Sequence, residues 1–252
     1  MRALILSDIH GNYEALDAVL AAADGQFDVL WNLGDMVGYG ASPNQVIDRI
    51  RPLSAVAVRG NHDRVCCGLT SPNAFNPVAR TAALWTAKEL TPENLEWLKQ
   101  LPRGPVHPEG EPEVLCAHGS PLHEDHYILT MRDAWAPLQQ SGASLTFFGH
   151  THVQGGFSQM GHDWNELRPR YENRNDPVEW VLDLAPATRN LVNPGSVGQP
   201  RDSDWRAAFA IYDSDLNRIT FRRTPYDVMT AQGHILMAHL PERLALRLRE
   251  GR

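Results

Sequence analysis

The chain has 252 residues, 42% hydrophobic and 21% charged, enough for one soluble-type domain with a sizeable core. It has no run of 18 apolar residues, which excludes a membrane-spanning helix, and the opening MRALILSDIHGN does not read as a secretory signal. A net charge of −7 argues against general nucleic-acid coating, and three cysteines (Cys66, Cys67, Cys116) make no disulfide framework, so a reduced, cytoplasmic compartment is expected.

Residues 2–7, RALILS, are a short apolar run ending in a polar turn, a predicted strand. Residues 13–23 have helical spacing, with Leu16, Val19 and Leu20 on one face. Residues 28–35 read as a second strand. Residues 42–50 open with Ser42 as N-cap and Pro43 at the first helical position, and 54–60 read as a third strand. The first 60 residues thus follow β-α-β-α-β, the pattern of a parallel sheet. Helices are predicted over 77–90 and 91–101, and strands over 113–119 and 144–150. Residues 155–190, rich in Arg, Asn, Asp and Trp, show little periodicity before 178–184. They read as hairpin or loop excursions within a single domain, 1–252. Residues 190–198, 206–213 and 218–223 are predicted antiparallel strands with turns between them. The tail, 226–250, reads as two short helices, with Pro241 starting the second.

The predicted strands end in polar blocks. These are DIH (Asp8, His10), GD (Gly34, Asp35), GNHD (Gly60 to Asp63), AHG (His118) and GHTH (His150, His152). Sites in open α/β sheets form at the carboxyl ends of strands. At extended spacing residues i and i+2 point the same way, so each spaced pair can face one centre. Carboxylate, imidazole and neutral amide oxygen, with no thiolate, suit Mn, Fe, Co, Ni or Zn rather than Ca or Mg alone.

The ordered blocks D-x-H, G-D, G-N-H-D, a later H, and G-H-x-H over residues 8–152 resemble the calcineurin-like metallophosphoesterases. The tract NPGSVGQPR (193–201) and the tail LPERLALRLREG are similar to the bacterial small-phosphodiesterase branch. The resemblance implies an α/β fold, a four-layer αββα sandwich of two mixed sheets flanked by helices. It also implies two divalent transition-metal ions, manganese first among them. Asp8, His10 and His152 would bind one, Asn61, His118 and His150 the other, and Asp35 both. His62 would stay unligated and face the substrate phosphate, with Asp63 orienting its ring. With two divalent ions, Asp8, Asp35 and a bridging hydroxide as the attacking group, the centre would carry about +1 charge and favour a phosphoryl anion. His62 would protonate the leaving group or steady charge on phosphorus.

Gly38 and Tyr39 in GDMVGYG stand where the protein Ser/Thr phosphatases have Asp and Arg, so a phosphate-gripping arginine is missing there. The purple acid branch has a ligand tyrosine at the position of Gly38, so a tyrosinate-bound ferric ion is not expected. Arg201 is a candidate for substrate phosphate, whereas Arg64 and the six other histidines (107, 123, 126, 162, 234, 239) read as structural or exposed. Trp164, Tyr171 and Trp180, with Arg168 and Arg170, read as an ordinary packed hairpin rather than a base-stacking surface. The expected function is hydrolysis of small phosphodiesters or nucleotides. The alternatives are a phosphomonoesterase, such as a protein phosphatase or dinucleoside polyphosphate hydrolase, and a non-catalytic binding module on the same fold. A small phosphate ester is the expected partner, with no membrane and no stable nucleic-acid partner, and homo-oligomerisation is left open.

Overall fold

Strand and helix alternate at the start of the chain: β1 (Arg2–Leu6), α1 (Tyr13–Ala22), β2 (Val29–Asn32), α2 (Pro43–Ile50), β3 (Ser54–Ala57). The computed structural model describes all 252 residues. β1 pairs β2 and β2 pairs β3 in parallel, as the pattern predicts. The Asn12 side chain accepts from the Ala15 N–H at 3.1 Å and starts α1, whose Leu16, Val19 and Leu20 are buried. Pro43 opens α2, although Ser42 makes no side-chain cap bond.

Next come α3 (Asn61–Cys66), α4 (Pro77–Glu89), α5 (Pro92–Gln100), β4 (Val114–Cys116), α6 (Met131–Gln140) and β5 (Leu145–Phe147). Neither α3 nor α6 is expected from periodicity. α3 has six residues, too few to show a repeat, and its first turn is the GNHD block itself. α6 contains Pro137, which breaks a helical reading, yet Thr130 and Asp133 cap its start reciprocally.

The second half holds β6 (Gly155–Met160), β7 (Asp163–Leu167), β8 (Val178–Asp183), β9 (Thr188–Asn193), β10 (Ala207–Asp213), β11 (Arg218–Thr224), α7 (Val228–Met237) and α8 (Glu242–Glu250). One sheet has the order β3-β2-β1-β10-β11-β8, the other β4-β5-β9-β6-β7. β6 and β7 form a hairpin, but β6 also pairs β9, and β8 extends the first sheet beside β11, so residues 155–190 complete both sheets. β10 and β11 pair antiparallel as expected. β9 does not join them: it runs parallel to β5 in the other sheet. Residues 194–206 are therefore a crossing between sheets rather than a turn, and that crossing passes the polar strand ends.

The two mixed sheets face each other with helices outside, an αββα sandwich. Trp31, Phe147, Tyr212 and Phe221 are buried between the sheets. A larger apolar cluster packs α1, α2, α4, α7 and α8 on the first sheet, and a small one packs α6 on the second. The three cysteines are buried and unbridged. No helix is long and apolar enough to cross a membrane.

Candidate metal centre

The polar blocks lie beyond the carboxyl ends of β1, β2, β3, β4 and β5, strands of both sheets. Their side chains converge, though not by strand alternation. Asp8, His10, Asp35, His150 and His152 have φ of 55°, 51°, 53°, 68° and 60°, left-handed turns rather than extended chain. Such values are uncommon outside glycine, and their concentration in one place marks backbone held by its surroundings for a purpose. The holding bonds are evident. Asp8 N–H donates to the Gly34 carbonyl at 3.0 Å, and His10 N–H to the Asp35 carbonyl at 2.9 Å. His150 N–H donates to Asp8 Oδ2 at 3.0 Å. The 194–206 crossing adds Ser196 Oγ to the Asp8 carbonyl at 2.7 Å and Gly198 N–H to the same carbonyl at 3.0 Å.

Two buried groups of donors result, Asp8–His10–His152 and Asp35–His118–His150, each with its donor atoms within 4.8 Å of one another. Asp35 Oδ2 lies 3.6 Å from His10 Nε2 and 3.4 Å from His118 Nε2, so it stands between the groups. Asn61 Oδ1 lies 3.1 Å from His118 Nε2, which brings the neutral amide to the second group.

The arrangement fits a cation. Nδ1 of His10, His118 and His152 face the carbonyls of Val37, Leu33 and Gln199 at 3.1, 2.9 and 2.6 Å. A carbonyl only accepts, so each Nδ1 carries a proton, and in the neutral ring Nε2 is left with a lone pair. Yet His10 Nε2 and His152 Nε2 are 3.1 Å apart, and His118 Nε2 is 3.1 Å from His150 Nδ1. Asp8 Oδ1 is buried with no hydrogen bond. Lone pairs facing at that separation repel unless a positive charge lies among them. Burial alone would raise Asp35, but the imidazoles of His118, His62 and His10 more than reverse this and hold it well below the usual carboxylate range. Burial would lower His118, and Asp35 instead pushes it up to about 10. The two carboxylates thus call for cationic charge at this spot, which metal ions held by these donors would supply.

His62 belongs to neither group. Its backbone N–H donates to Asp35 Oδ1 at 2.8 Å, while its ring packs between Tyr39 (4.3 Å between centroids) and Phe75 (4.5 Å). Burial pushes the ring down to about 4. A Cβ at position 38 would lie 2.6 Å from His62 Nδ1, so Gly38 leaves the room that this ring occupies.

Asp63 does not hold the His62 ring, contrary to expectation. Its Oδ2 accepts from the N–H of Asp35 (2.8 Å) and Gly60 (3.0 Å), and Oδ1 from Val37 N–H (3.2 Å), while His62 Nδ1 has no hydrogen-bond partner. As the third residue of α3, Asp63 faces back along the helix towards the loop after β2, away from its neighbour's ring. It secures the backbone that carries Asp35. Asp63→Ala should therefore destabilise the protein by about 3 kcal/mol or more, since three amides lose a buried acceptor. Urea unfolding measures this. A stable Asp63→Ala protein that is inactive would instead place the carboxylate in the chemistry.

Arg201 reaches the rim. Its N–H donates to the His152 carbonyl at 3.1 Å, its guanidinium carbon lies 5.8 Å from the Tyr39 ring, and its Nε is buried without a partner. Arg64 is tied to Glu124 and Asp125 at 2.6 and 2.9 Å. Three aromatics stand around the centre: Tyr39, read from the sequence only as a missing arginine, and Phe75 and Tyr127, which escape sequence reasoning; the Tyr127 ring stacks on His150 at 4.0 Å. None lies in a polar block, and only Tyr39 is near one in sequence. Tyr171 donates to Gln154 Oε1 at 2.7 Å, and Trp180 packs on Phe221 at 5.6 Å. Those contacts are hairpin and sheet packing, although Tyr171 also borders an open cavity of about 490 Å³.

Known proteins agree with this geometry. The family model described as Calcineurin-like phosphoesterase matches residues 1–154. An uncharacterized protein of Methanocaldococcus jannaschii is 36% identical over 249 residues, covering 98% of this chain and 97% of that one. The crystal structure of a metallophosphoesterase from Sphaerobacter thermophilus is 38% identical, with a TM-score of 0.84, over 100% of this chain and 99% of that one. A symmetrical bis(5'-nucleosyl)-tetraphosphatase of Baumannia cicadellinicola is 32% identical over 123 residues, 47% of this chain and 42% of that enzyme. With two donor groups sharing one aspartate at the strand ends, and with relatives matching along the whole length, this chain belongs to the calcineurin-like phosphoesterase family.

Proposed function

We propose that this phosphoric ester hydrolase is a two-metal phosphodiesterase acting on small phosphodiesters or nucleotides. The observation that carries the reading is Asp35 between two donor groups, with His62 beside it and no cation in the turn after it. Asp8, His10 and His152 would hold one ion, and Asn61, His118 and His150 the other. When bound, such ions polarise phosphoryl oxygens and make water a nucleophile near neutral pH. The chain's own part is orientation. The carbonyls of Val37, Leu33 and Gln199 fix the donor rings, and Asp63 fixes the loop of Asp35. His62 donates towards the leaving oxygen from its place between Tyr39 and Phe75. Arg201 meets substrate phosphate from the rim.

A monoester dianion needs more positive partners than a diester anion. Tyr39 stands where an arginine would supply one, and it is buried against His62 and His10. Matched nitrophenyl esters, assayed with manganese at one pH, should give a higher kcat/KM for the diester. A clear preference for the monoester refutes the assignment. Similarity to the symmetrical tetraphosphatase supports a second reading, hydrolysis of dinucleoside polyphosphates, which belong in the same substrate panel. A non-catalytic role has less support, since His62 and all seven donors are present and assembled.

A further inference from the structure

The Tyr39 ring links the metal centre to a pair of arginines. It contacts the imidazoles of His62 and His10, at 4.3 and 4.7 Å between centroids. The guanidinium carbons of Arg201 and Arg247 each lie 5.8 Å from the same ring. The two arrive from separate parts of the chain, Arg201 from the 194–206 crossing and Arg247 from the last turn of α8. Neither pairs with an Asp or Glu side chain, whereas Arg64, Arg103, Arg206 and Arg223 all do. Arg201 donates from Nη2 to Gln199 Oε1 at 3.1 Å and leaves its Nε buried without a partner. Arg247 donates only from Nε, to a main-chain oxygen of Arg252 at the end of the chain, so its two terminal nitrogens are free. Burial, and then the charge of Arg201, hold Arg247 below the usual arginine range.

Two like charges on one partly buried ring repel, and a tyrosine face offsets only part of that. An anion between or beside them removes the conflict, and a guanidinium fork matches phosphate oxygens in pairs. We propose that Arg201 and Arg247 form a subsite for a second phosphoryl group next to the one cleaved, so that the substrate carries adjacent phosphoryl groups, as a nucleoside oligophosphate does. The proposal rests on reading the centre as a phosphoester-cleaving site. Arg201 is the inner cation: its backbone N–H donates to the His152 carbonyl at 3.1 Å. Arg247 is the outer one, where the chain of phosphates continues. An internal phosphoryl group of an oligophosphate has two substituents, as a diester does, so the two readings agree.

Pyrophosphate and orthophosphate, titrated by calorimetry into the manganese-loaded protein, test the subsite without needing turnover. The wild type should prefer pyrophosphate, and R247Q should lose about tenfold of that preference, the scale of one charge-assisted contact. R247K keeps the charge but not the fork and should lose a smaller factor. It also serves if R247Q melts early. A pyrophosphate-to-orthophosphate ratio that R247Q and R247K leave unchanged overturns the proposal. Failure of the diesterase reading shows up elsewhere, as nitrophenyl diesters cleaved no faster than monoesters. The subsite is decided by the binding ratio alone.

Discussion

His62→Ala should lower kcat by about 10²–10⁴-fold, the usual range for a positioned proton donor, while the protein keeps its metal. Metal retention follows from the geometry. The bond between His62 and Asp35 runs from the backbone N–H, which alanine still has, and the ring touches Tyr39 and Phe75 rather than either donor group at hydrogen-bonding distance. Elemental analysis of the manganese-loaded variant checks this half of the expectation. Kinetics with aryl and alkyl phosphodiesters check the other. A proton donor matters most where the leaving oxygen is basic, so alkyl esters should suffer the larger loss. Equal losses on both series would assign His62 to steadying charge on phosphorus and remove it as an acid. Loss of metal along with the ring would contradict both roles.

Much of this centre is legible in the sequence because its chemistry is concentrated in short blocks at strand ends. Apolar runs mark β1, β2 and β3, and each is followed at once by Asp8, Asp35 or Asn61. The partition into two groups was available only through the family resemblance, since spacing does not say which histidine meets which carboxylate. Three things were hidden for physical reasons. The left-handed turns at Asp8, His10, His150 and His152 leave no mark on periodicity, so their pairing reads as extended chain although it is not. Asp63 sits beside His62 in sequence, but one step along a short helix turns the two side chains to different neighbours. Tyr127 and Arg247 reach the site from a loop and a terminal helix far from the motifs, and only tertiary packing brings them there. The same holds for β9, which resembles its sequence neighbours β10 and β11 yet belongs to the other sheet.

The largest loss is expected from Asp35→Asn. The wild type should bind two manganese ions per chain, and the variant fewer than one, with activity reduced by about 10³-fold or more, equal to about 4 kcal/mol of transition-state stabilisation. Asp35 is the one carboxylate that reaches His10 of one donor group and His118 of the other, at 3.6 and 3.4 Å. It is also the main source of the field that pushes His118 up. An amide of the same shape keeps an oxygen for the His62 backbone N–H, so the start of α3 should survive and the effect should be electrostatic rather than a collapse of the fold. Circular dichroism and urea unfolding separate those two causes. If Asp35→Asn holds two ions at wild-type affinity, the carboxylate is a backbone anchor for His62 and not a shared ligand. If it holds one ion, the remaining site should be identifiable by which partner mutation, His10→Ala or His118→Ala, then abolishes binding. A single surviving ion would show that the two donor groups fill independently, and that the coupling inferred from their common aspartate is weaker than its position suggests.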